Sequence, residues 1–152
     1  MRDRLPAAKS EESLANAMTI RYRENIDIAF DKIDETITSL SIPALADALL
    51  AIMPELHKDG EAIIRLMDAN KGWPVKREEF RGAALKRITK TLMLYRPGLT
   101  ANPARDMAFI VFHNMKAMKT LSNMADKKAR SGAIKELRGI TQLYLKNRLK
   151  RT

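Results

Sequence analysis

Apolar residues recur every three to four positions along nearly the whole chain, and no segment alternates apolar with polar residues convincingly. The pattern is clearest over residues 102–125, NPARDMAFIVFHNMKAMKTLSNMA. Asn-Pro opens this run, with Asn102 as the predicted N-cap and Pro103 at the first helical position. At 100° per residue Ala104, Met107, Ala108, Val111, Met115, Met118, Leu121 and Ala125 fall on one stripe. Phe109 and Phe112 fall outside it, on the side that carries His113, Lys116 and Thr120. A helix packed on one core needs one apolar stripe, and this one has a second, partly aromatic face. The inner face is expected on the chain's own core, the outer face on a second copy.

The same period runs through the rest of the chain. Residues 1–9, with Pro6 and several charges, read as a flexible lead-in to one domain over 10–152. Ser10 with Glu11 and Glu12 is a helix start, and Met18, Tyr22, Ile26, Ala29, Ile33 and Ile37 carry the helix to about Thr38. Ser41 and Pro43 start a second helix, almost wholly apolar over 44–53, which Pro54 is expected to end or kink. Asp59-Gly60 predicts a turn and residues 61–69 a short third helix. Asn70 to Pro74 is a breaker. Residues 76–95 are the fourth helix, with Phe80, Ala84, Ile88, Thr91 and Tyr95 on one face, and Arg96-Pro97-Gly98 stops it. The last helix spans about 128–150, with Ala133, Ile134, Leu137, Ile140, Tyr144 and Leu145 as its apolar face. The predicted fold is all-α, a bundle of about six helices, three of them long.

Length and composition change this picture little. The chain has 152 residues, enough for one real core, and 45% hydrophobic residues is ordinary for a globular domain. Without Cys there is no disulfide, thiolate site or Cys nucleophile. No apolar run reaches a membrane span of roughly 18–20 residues, and no signal-peptide core is present, so a cytoplasmic protein without membrane contact is expected. The net charge of +10 is concentrated: residues 127–152 hold nine Lys and Arg against Glu136 alone, a balance of +8. The basic character belongs to one helix and its tail, where solubility and helix-end stabilisation explain it more simply than phosphate binding.

Catalytic chemistry finds little support in the residues. There is no Gly-rich phosphate loop, no HExxH and no nucleophile elbow. No cofactor or metal is expected. His57 and His113 stand far apart; His113 reads as an interfacial or solvated residue, and a hydrolase built on it is the remotest reading. Asp27, Asp31, Asp34 and Glu35 cluster on the first helix, where a solvated face is expected rather than a hard-cation site. A small-molecule pocket has a physical basis, because the break at Pro54 makes the central layer irregular. Its candidate lining is Tyr22, Phe30, Met53, Met67, Trp73, Ile88 and Met115, in a chain whose nine Met residues make such a lining adaptable. The alternative is that these residues are plain core. For the dimer interface the candidates are Phe109, Phe112, His113, Lys116 and Thr120 of one helix and Leu137, Ile140 and Tyr144 of the last, giving a four-helix bundle about a twofold axis. The competing reading packs both phenylalanines on the chain's own last helix, as a monomer.

The order and lengths of these helices resemble the C-terminal regulatory domain of TetR-family transcriptional repressors. The resemblance is carried by MPELHKDGEAIIRLM from Met53, then FRGAALKRITKTLMLYRPGLTANPARDMAFIVFHNMKAM, and the closing IKELRGITQLYLKN. The helix over 10–38 resembles the connecting helix that follows the family's DNA-binding domain. It covers about residues 10–150 and rests on helix lengths and patterning rather than an invariant motif. It implies a helical domain that binds a small apolar or amphipathic ligand and homodimerises through its last two long helices. Such proteins begin with a helix-turn-helix that enters the major groove. Only nine residues precede the long helix here, so DNA is expected to be reached only through a domain absent from this chain. The reading is a non-enzymatic regulatory domain. The alternative is a small basic helical protein that binds nucleic acid non-specifically through its C-terminal helix.

Overall fold

A computed structural model describes residues 7–69 and 73–150, and within these it is all-helical. Five α-helices follow one another: α1 (Ala7–Glu35), α2 (Ile42–Asp68), α3 (Trp73–Tyr95), α4 (Ala101–Ser122) and α5 (Lys127–Arg148). A single 3₁₀ turn, Ile37–Ser39, links the first two. The first helix begins three residues before Ser10, and it closes where Thr36 turns its amide and hydroxyl back to the carbonyl of Ile33.

The bundle has one helix fewer than the sequence predicts, because α2 runs on through Pro54 and past the expected turn at Asp59-Gly60. Proline inside a helix costs about 3 kcal/mol, since it removes one amide donor and crowds the carbonyl four residues back. Leu45, Leu49, Leu50 and Ile52, all buried, lie in the turns leading into it. Each buried side chain of this size contributes about 1.5–3 kcal/mol, so their packing outweighs the proline.

Local signals set the other ends. Ser41 caps α2, its Oγ accepting from the Ala44 amide at 3.2 Å, as its sequence position predicts. Asp126 caps α5 with a carboxylate oxygen that accepts from the amides of Lys128 and Ala129. At α4 the cap is Thr100 rather than Asn102. Asn102 and Pro103 lie within the first turn, where an amide has no intrahelical partner in any case, so the proline is tolerated.

Packing follows a ring in the order α1, α3, α4, α5, α2, with α2 and α4 also packed on each other across the middle. The centre is therefore made by α2 and α4. Leu45, Ala46, Leu49 and Leu50 meet the stripe of Ala104, Met107, Ala108, Val111 and Met115, and Phe30, Ile88, Leu92 and Leu145 close the sides.

Candidate functional site

Because α4 touches α2, α3 and α5, it buries a wide arc and exposes a narrow one. This corrects the expected position of Phe112. It is 7% exposed and belongs to the core, with Lys116 Nζ 5.7 Å from its ring centre and His113 edge-on at 5.9 Å. A helix held on three sides needs more than one stripe, and Phe112 supplies the added width. Phe109 remains 42% exposed, with the Arg81 guanidinium of α3 5.4 Å over its ring. His113, Lys116 and Thr120 are exposed beside it.

On another side of α4 a part-buried contact joins it to α5, Asn114 Nδ2 donating to Thr141 Oγ1 at 3.1 Å. The two helices also carry exposed apolar side chains, Ile110 on α4 (46% exposed) and Ile140 (58%) and Leu143 (69%) on α5, while Leu137 and Tyr144 are half-buried. Gly132 and Gly139 add no side chain to α5, and a Cβ at either would meet nothing within 4 Å. Of the expected interface residues on α5, Ile140 is exposed and Leu137 and Tyr144 are half-buried. Ile110 and Leu143 each lie one step off a stripe assigned from the periodicity.

The acidic cluster of α1 is organised by a partner no local pattern reveals. Arg87 of α3 donates to Asp27 at 3.1 Å, Asp31 at 2.7 Å and Asp34 at 3.2 Å, and its guanidinium lies 5.6 Å over the Phe30 ring. Thr91 adds a 2.7 Å bond to Asp34. Burial alone would lower the Arg87 pKa; the hydrogen bond and charge of Asp31, with the charges of Asp34 and Asp27, leave it above the ordinary arginine value. The acidic face stays solvated at Asp31 and Glu35 and half-solvated at Asp27, as expected, while Asp34 is covered and Arg87 occupies the position a cation would take. Among the described residues no group of three His, Cys, Asp or Glu is arranged to hold a metal ion.

Cavities walled by described residues include the following two. One is a groove of about 340 Å³ between α1 and α2, with Asn25, Lys32 and Glu55 among its polar walls and Ile28, Ile52 and Leu56 among its apolar ones. The other, about 310 Å³, lies between α2, α4 and α5, walled by Leu50, Pro54, Met118, Ser122, Ile134 and Arg138. Beside it Arg138 grips Asp47 through two bonds, 3.1 and 2.8 Å, and Gln142 donates a third. The bond from Arg138 holds the Asp47 carboxyl below the usual carboxylate range, against burial and with help from Gln142 and the arginine charge.

None of the expected ligand-lining residues belongs to either cavity. Phe30, Ile88 and Met115 are fully buried core, and Met53 packs partly buried against it. Tyr22 stacks edge-on with Phe80 at 5.5 Å, and its burial raises its pKa. The side chains of His57, Met67 and Trp73 lie outside the described residues. The second cavity brings together Pro54, Met118 and Ile134, which the sequence places on three separate helices.

The exposed bases of α5, among them Lys128, Lys135 and Lys146, lie on its solvent side, while Arg138 is taken up by Asp47. Among the described residues no helix is long and apolar enough to cross a membrane. No protein-family model, no curated protein and no solved structure matches the chain.

Proposed function

We propose that this chain is a non-catalytic regulatory domain of the TetR type, which homodimerises through the outer flank of α4 and α5 and answers to a small apolar ligand. One observation carries the reading: Ile110 of α4 and Ile140 and Leu143 of α5 are all exposed on the two helices that the Asn114–Thr141 contact joins. Single exposed apolar residues are ordinary, but three on one packed helix pair give it apolar surface that association would cover. The bare backbone at Gly132 and Gly139 lets a second helix approach closely. A twofold axis through this flank sets two helices from each copy side by side, with each patch meeting its own equivalent.

Sedimentation velocity at micromolar protein tests the dimer. A species of twice the 17.2 kDa chain mass is expected, and Ile140→Glu with Leu143→Glu should return it to a monomer of unchanged helicity. A monomeric wild type removes the reading. Phe109 contributes at the edge of this surface, whereas Phe112 serves the subunit's own core.

A further inference from the structure

We propose that the cavity between α2, α4 and α5 binds a small one-ring apolar molecule bearing a hydrogen-bond donor, of the phenol class. This names a site for the ligand-binding part of the reading above and rests on it.

The argument starts at Pro54. In a regular helix the carbonyl of residue 50 accepts from the amide of residue 54, and proline has no such amide. Leu50 and Pro54 are one turn apart on α2, and both wall the cavity. Leu50, whose carbonyl has no amide to accept from at position 54, therefore lines a space of about 310 Å³. Opposite stands Ser122, the last residue of α4, whose hydroxyl donates to the Met118 carbonyl at 2.7 Å and keeps its lone pairs for a further donor. The C-terminal end of a helix carries partial negative charge, which favours a donor again. Between these acceptors the walls are apolar, from Leu50, Pro54, Met118 and Ile134. At the rim the negative charge of Asp47 is answered by Arg138. That pairing removes the demand for a fully charged ammonium and suits a neutral donor.

Size agrees with the chemistry. An apolar cavity of about 150 Å³ takes a benzene ring, so this space accommodates one ring with a substituent. The flexible thioether of Met118 lets the wall close on it. The groove between α1 and α2 is similar in volume, but no helix-breaking residue among its walls frees a carbonyl. Since α4 and α5 form two walls, a bound ring sits against the pair whose far flank is the proposed dimer surface.

Phenol and toluene are matched probes, equal in shape and different in the donor. Each is titrated into the full chain while the methyl signals of Met118 and Ile134 are followed by NMR. Both signals should move with both probes, and phenol should bind about fivefold more tightly, the worth of one net hydrogen bond. Pro54→Ala restores the amide and should lower the phenol preference while leaving toluene unchanged. Pro54→Ala with Ser122→Ala should abolish it, and Met118→Trp should block both probes. Equal affinity of the two probes for wild type, a preference undiminished by Pro54→Ala, or no shift with either probe overturns the site. A dimer that binds neither probe keeps the dimerisation reading and loses the site, while a monomer that binds phenol selectively does the reverse.

Discussion

Asn114 of α4 meets Thr141 of α5 where Thr141 is completely buried, and the Thr141 hydroxyl in turn donates to the Leu137 carbonyl at 2.8 Å. The amide, the hydroxyl and the carbonyl form a short relay in which the threonine both accepts and donates. A polar group so placed tolerates one position of its partner helix and penalises a slip. Thr141→Val keeps the shape, removes the hydroxyl and leaves the Asn114 amide with one partner fewer. We expect a loss of about 1–2 kcal/mol in urea unfolding. Asn114→Ala with Thr141→Val should cost less than the two single changes added, because the second removes a group already orphaned. Additive losses would show that the contact does not couple the helices.

Arg87 faces three carboxylates with one charge, so its removal leaves Asp27, Asp31 and Asp34 in mutual repulsion on one helix face. Asp27 and Asp31 are partly solvated, which places the effect below that of a fully buried pair. Arg87→Met, which keeps much of the apolar stem, should cost about 2 kcal/mol and lower Tm by roughly 4–8 °C at low salt. Half-molar salt should reduce that loss, since screening weakens repulsion among exposed charges. A loss independent of salt would assign the effect to packing on Phe30 instead.

Asp47 titrates below its ordinary value because Arg138 and Gln142 hold its charged form. A carboxyl with a depressed folded-state pKa adds stability above its unfolded pKa, and that stability disappears as pH falls through the folded value. The contribution is therefore present at pH 7 and lost below about pH 4. Both partners are substantially solvated, so the size is about 0.5 kcal/mol. Asp47→Asn should lower stability by this amount at pH 7 and by nothing at pH 2.5. An equal loss at both pH values would mean that the carboxylate charge is not the source.

The helices and most of the core were legible because period and caps are local signals. The stripe from Ala104 to Met118 is buried as its spacing predicts, and Ser41 caps α2 where the serine stands. Contacts between elements distant in the chain left no such mark. Arg87 lies 53–60 residues from the carboxylates it gathers, and Arg138 lies 91 from Asp47. Asp59-Gly60 misleads in the other direction. A local turn signal predicts a boundary there, although tertiary burial of α2 decides whether the helix continues.

Phe109 and Phe112 stand three residues apart and were assigned one role, yet the fold separates them. Phe112 turns toward the core between α4 and its neighbours, while Phe109 stays on the surface under Arg81. Truncation should read this difference directly. Phe112→Ala opens a cavity and should cost about 3–5 kcal/mol, a large share of the stability of a domain this size. Phe109→Ala removes a ring that water already reaches, so chemical denaturation of the dissociated chain should register a change within about 0.5 kcal/mol. Its effect belongs to association. If the α4–α5 surface pairs two copies, Phe109→Ala should raise the dimer dissociation constant at unchanged subunit stability. Equal losses of subunit stability for the two variants would contradict the separation of roles.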